Sequence, residues 1–216
     1  MDNIRHTFVS GMRFQTEVRY RAQGRHGLVW QKIPTTPPGM AHDPACTALC
    51  ITQCLALQSH IPRSKAMALF RRLRRVSELD TWDAAGVKRV ISTLGLPVPL
   101  QAFPVDSPVV CGSLVQAAIA TGGVCMLRCV SRHGVRWRVV VGVETTGAEA
   151  IPCALLLLDT DLDEPWACGH NIRMELQREA WKGKETEIPE VLVCRSLAGA
   201  ASAVRLRELL VFQTPQ

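Results

Sequence analysis

The stretch VCMLRCVSRHGVRWRVVVGV, Val124 to Val143, decides the fold. In the helical segments from Cys46 to Gly123 the apolar residues recur at helical spacing; from Val124 onward the period is two. Alternation leaves one face of a strand for the core, so Val124–Val130 predicts a strand, Ser131–Gly134 a tight turn and Val135–Val143 the returning strand. Toward the N-terminus, SLVQAAIATGG (Ser113–Gly123) predicts a helix closed by its two glycines. TWDAAGVKRVISTLGL (Thr81–Leu96) predicts another, with Asp80 or Thr81 as N-cap and Gly95 as the stop. A further helix runs from Ser64 to about Val76 and ends in FRRLRR. CTALCITQCLALQSH, opening at Cys46 after the breaker-rich loop Pro34–Pro44, reads as an apolar helix, and residues 6–33 read as strands. Toward the C-terminus, Ala154–Leu158 predicts a strand ending at Asp159, followed by the acidic loop DTDLDEP and a short helix from Met174 to Trp181. A strand at Val191–Cys194 comes next. The amphipathic tail Ser196–Gln216 predicts a helix and a last strand. Helices followed by an antiparallel sheet make an α+β arrangement rather than alternating βαβ units.

The composition sets the bounds. With 216 residues, 47% of them hydrophobic and 20% charged, the chain has the material for one well-filled core. The longest apolar run, Ile151–Leu158, is far too short to span a bilayer, and the charged N-terminus lacks a signal-peptide core, so no membrane span is expected. The expected location is cytoplasmic, or exported without a cleavable signal peptide. Nine cysteines, an odd number, argue against a purely intramolecular disulfide framework and for reduced, buried thiols. The net charge of +6 is concentrated in arginine, most densely at Arg71, Arg72, Arg74 and Arg75. Basic side chains in a last helical turn suit the helix dipole, and no stacking aromatics are interleaved, so nucleic acid is not an expected partner.

The chemistry centres on Cys46. A thiol at the start of a helix meets unpaired amide hydrogens and the positive end of the dipole, which favour the thiolate. Cys50 and Cys54 follow at helical spacing, deeper in the helix, and read as core residues; their spacing with Cys46 does not suit zinc. The acidic loop lacks the spacing of a calcium-binding loop, so no metal and no cofactor are expected. Cys125 and Cys129 read as core packing, and Trp166 and Trp181 as structural residues.

These segments, in this order, resemble the papain-like cysteine peptidases, specifically the bacterial branch that includes double-glycine leader peptidases. ACTALCITQCL resembles the helix that the nucleophilic cysteine opens, and TWDAAGVKRVISTLGL the middle helix. SLVQAAIATGGVCMLRCV resembles the segment before the histidine strand, RWRVVVGVE that strand, LLLLDTD the strand ending in an aspartate, and MELQREAWKG the short helix after it. The resemblance covers about residues 40–194. It departs from the pattern where the cysteine is followed by Thr47-Ala48 instead of Gly-Pro, and where no glutamine shortly precedes it. It also departs at Arg136, which stands at the position of the histidine and, always protonated, cannot serve as a base.

The resemblance implies a papain-like α+β fold, an N-terminal helical half with the cysteine helix packed on an antiparallel sheet. Residues 1–39 would form a β-rich extension, 40–194 the peptidase-like domain and 195–216 a C-terminal extension on the same domain. It implies a cysteine peptidase with Cys46 as nucleophile, His133 as substitute base and Asp159 as orienting carboxylate, with Arg136 and Trp137 meeting a peptide or protein substrate. His133 would reach Cys46 only through a bulge or shifted strand start; His170 is the other available imidazole. The alternative is a degenerate member of the family that binds a peptide or partner protein without cleaving it, with Arg136 pairing Asp159.

Overall fold

The computed structural model describes residues 4–9, 44–58, 63–77, 83–105, 107–131, 134–162, 170–176 and 192–214. They form four helices, α1 (Pro44–Leu57), α2 (Arg63–Ser77), α3 (Ala84–Thr93) and α4 (Pro108–Ala120). The eight strands are β1 (Arg5–Phe8), β2 (Leu100–Pro104), β3 (Val124–Ser131), β4 (Gly134–Thr146), β5 (Ile151–Leu158), β6 (Ile172–Glu175), β7 (Leu192–Ser196) and β8 (Ala201–Phe212).

The expected hairpin forms as β3 and β4, paired from Cys125↔Val140 to Ser131↔Gly134. The sheet around it closes on itself. β4 pairs β3, β3 pairs β8, and the chain of partners continues through β7, β6 and β5 back to β4, antiparallel at every step. An even number of strands lets an antiparallel ring close without a mismatched pair. The two longest strands hold it together. Along one edge β4 takes β3 and then β1; along one edge β8 takes β7 and then β2.

The papain-like α+β expectation of a helical half packed on an antiparallel sheet is therefore corrected: the fold is barrel-rich, a closed six-stranded antiparallel barrel carrying two further strands and four helices. Two local readings change with it. Met174 lies in β6, not at the start of a helix, and the helix expected at the beginning of the C-terminal tail is absent, because Ala201–Phe212 is one strand of the barrel wall. The expected N-cap, Asp80 or Thr81, lies outside the described residues. α3 begins later, where Asp83 Oδ1 accepts from Gly86 N at 2.7 Å.

α1 is apolar all round, and every residue from Cys46 to Leu57 is buried, as such a helix requires. It lies against β3, β4 and α2. Gln58, just past its end, donates to the carbonyls of Gly122 and Phe212 and so ties it to the far end of β8. α4 packs on β5 through Gly112, where a Cβ would stand 2.6 Å from Leu176 Cδ1 and 2.8 Å from Pro152 Cβ.

Candidate functional site

β4 carries Arg136, Trp137 and Arg138 in succession, so the two guanidiniums leave one face of the strand and the indole the other. Both arginines are buried, 5% and 6% exposed, and both point toward the residues that follow β5. There the Asp159 carboxylate receives them. Arg138 Nε donates to Asp159 Oδ2 at 2.7 Å, and Arg136 Nη1 stands 3.8 Å from Oδ1, which also accepts from the Asp161 amide at 3.0 Å. Asn171 fixes the aspartate's backbone: Asp159 N donates to Asn171 Oδ1 at 2.7 Å, and Asn171 Nδ2 donates to Asp159 O at 2.8 Å. Arg136 Nη1 is also ion-paired with Asp161 Oδ2.

Burial alone would raise the Asp159 carboxyl, but the Arg138 guanidinium, the Asp161 amide and Arg136 together hold it below the ordinary carboxylate value. Asp161 moves the other way: its burial outweighs Arg136 and lifts it. Burial disfavours the charge on Arg138, yet Asp159 keeps it firmly protonated.

These residues line the end of the barrel. A cleft of about 280 Å³ is walled by Ser131 of β3, Arg138 of β4, Ile172 of β6, Cys194 of β7 and Ser202 of β8, with Asp159 closing the end of β5. Five of the six barrel strands contribute, and Asp159 directly follows the sixth, so the cleft is the barrel's mouth, a usual place for a binding site in small barrels.

Cys46 lies just beyond this cluster, in the first turn of α1, and is 1% exposed. Its Sγ donates to Trp137 O at 3.5 Å and accepts from Thr160 Oγ1 at 3.3 Å, while Cys50 Sγ donates to the same carbonyl at 3.3 Å. The hydrogen bond with Cys46, together with burial, pushes the Cys50 thiol well up. All eight described cysteines are free thiols, and seven are buried.

Of the predicted site residues, Cys46, Arg136 and Asp159 are brought together. Trp137 is not presented to the cleft; its side chain is 1% exposed and belongs to the core. His133 lies outside the described residues. His170 is placed elsewhere, where the charged groups acting on it are Glu144, His6 and Arg173. Sequence reasoning missed Arg138, although its position two residues after Arg136 puts it on the same strand face. It also missed Thr160 and Asn171, whose roles depend on contacts that no local pattern announces. Among the described residues no group of three or more His, Cys, Asp or Glu could hold a metal ion, and no helix is long and apolar enough to cross a membrane.

A scan against protein-family models finds no match to the chain, and a search of curated proteins finds none either.

The arrangement has a definite chemical character. A nucleophilic thiol needs a neutral base, and the base needs a carboxylate to orient it. Here the Asp159 carboxylate accepts from the Arg138 guanidinium and the Asp161 amide and faces Arg136 as an ion pair, and with Asp161 the two arginines form a charge-balanced, largely buried cluster suited to binding polar groups.

Proposed function

We propose that this protein binds a peptide, or an extended segment of a partner protein, at the barrel mouth and does not cleave it. The observation that carries the reading is the engagement of Asp159: Arg138 donates to one carboxylate oxygen, the Asp161 amide donates to the other, and Arg136 stands 3.8 Å from the latter as an ion pair. Among the described residues the Arg136 guanidinium acts electrostatically with Cys46, and it cannot accept the thiol's proton. The burial of Cys46 points the same way, because an attacking thiol must meet its substrate. The open space beside it, in contrast, lies on the arginine face of β4.

The test is iodoacetamide labelling of the native chain from about pH 5 to about pH 9, with peptide mapping, alongside incubation with a mixed peptide library. The binding reading expects Cys46 to stay unlabelled until the protein unfolds, and library peptides to be retained intact. Rapid labelling of Cys46 well below the ordinary thiol pKa of about 8.5, with peptide cleavage that Cys46→Ala abolishes, would instead establish a cysteine hydrolase.

A further inference from the structure

The Arg138 guanidinium is incompletely used. Its Nε is committed to Asp159, but among the described residues its Nη edge has one partner, the Cys194 thiol, with Nη1 4.0 Å from the sulfur. The side chain is 7% exposed, and the unfilled edge lies along the 280 Å³ cleft. A thiol at that distance is a poor acceptor; burial pushes Cys194 up to about 12, so it remains neutral despite the arginine beside it. Arg138 lines the open cleft with donors to spare, and the planar fork suits an oxyanion bound through two oxygens.

The neighbouring arginine indicates which oxyanion. Arg136 already holds a carboxylate, that of Asp161, although this partner fits badly. Asp161 Oδ1 is buried without a hydrogen-bond partner among the described residues, and the side chain, 22% exposed, lies at the edge of the cleft on the segment after β5. Two cations and two carboxylates balance in the mouth, so an incoming anion is accommodated best by releasing Asp161 to water. The cleft has room for a residue-sized group but not for a folded surface, and Ser196 and Ser202 add hydroxyls to its wall.

We propose that the barrel mouth is a peptide-carboxylate site: the Nη edge of Arg138 and the guanidinium of Arg136 bind a carboxylate of the incoming chain, which displaces Asp161. This rests on the peptide-binding reading above and specifies what that site recognises. Asp161 is then an internal stand-in for the ligand, and the buried Arg138–Asp159 pair is the fixed part of the site.

The experiment measures binding to the full chain by titration calorimetry at neutral pH. It uses a mixed hexapeptide library with free C-termini, the same library amidated at the C-terminus, and both versions with Asp and Glu left out. The proposal expects removal of every carboxylate to weaken binding at least about tenfold. If amidation alone does this, the α-carboxylate is the recognised group; if only omission of Asp and Glu does, it is an acidic side chain. Asp161→Asn is expected to tighten binding of the carboxylate-bearing library several-fold and to leave the carboxylate-free library unchanged. Arg138→Lys, its fold checked by circular dichroism, should weaken the first and spare the second. Equal binding of all libraries would overturn the carboxylate proposal while leaving peptide binding intact; no binding of any library would overturn both. Unchanged or weaker carboxylate binding by Asp161→Asn would overturn the displacement step.

Discussion

Arg136 and Arg138 bring two positive charges into the same buried corner, and Asp159 makes this tolerable by facing both. Removing one member of a buried ion-paired group leaves the remainder uncompensated, which costs about 3–5 kcal/mol. Asp159→Ala is therefore expected to lose roughly that much stability, read as a lowered urea midpoint with an unchanged slope. The pH dependence follows from the depressed carboxyl. The contribution of Asp159 is fully present above the unfolded value of about 3.9 and fades as the pH falls through the lower folded value. The stability difference between wild type and Asp159→Asn should accordingly be flat through neutrality and shrink only below about pH 4; a difference that persisted in strong acid would sink the ion-pair explanation. At this scale the sequence was partly legible. Arg136 and Asp159 are recognisable as potential partners because Arg136 sits on a strand with a clear period and Asp159 directly follows a continuous apolar strand. Arg138, the closer partner, lies two residues beyond Arg136 on the same strand face, but an arginine inside a run of apolar residues does not by itself announce a buried partner.

Strands and helices were legible where their pattern was regular. The β3–β4 hairpin and α1 through α4 follow the alternation and helical spacing of their residues, with boundaries displaced by a few positions. β8 was not, and its bulge explains why. The register against β3 shifts at Arg128/Cys129, opposite Glu208 and Leu206, so the buried positions run Val204, Leu206 and then continuously from Leu209 to Phe212 instead of strictly alternating. The step from Leu206 to Leu209 and Leu210 repeats the i, i+3, i+4 spacing of a helix face. β1 depends on a different local feature. Where it crosses β4 at Gly142, an added Cβ would lie 2.8 Å from Phe8 Cδ1 and 2.9 Å from the Thr7 carbonyl oxygen, and the latter, being backbone, cannot turn aside. Gly142→Ala is expected to destabilise by about 1–3 kcal/mol. Hydrogen exchange should locate the damage: amides of β1 lose protection first, while those of β3 and the N-terminal half of β4 keep theirs. Undiminished protection of β1 would mean that the close approach is not maintained in solution.

Closure of the barrel is a property of the whole chain, and no stretch of sequence encodes it locally. β3 and β8 are far apart in sequence, and whether the strand after β7 returns to β3 or stops at an edge depends on register and tilt along all six strands. Reading the last residues as an addition to a finished domain was therefore natural from the sequence, and the topology supplies a direct test. β8 pairs the whole of β3, from Val124↔Phe212 to Ser131↔Val204, while its other edge serves β7 and β2. Its Leu209, Leu210 and Phe212 are wholly buried. A chain ending at Ser196 would expose the edges of three strands and uncover the side of the core against which α1 is anchored through Gln58. We expect this truncated chain to lose cooperative urea unfolding and to bind a hydrophobic dye, as an unclosed barrel with an open core should. The arginine mouth should be lost with it, because Ser202 and the start of β8 form part of its wall. If the truncated chain instead unfolds in a single sharp transition with near-native stability, residues 40–194 fold without the last strand, and closure is an embellishment rather than the condition of the fold.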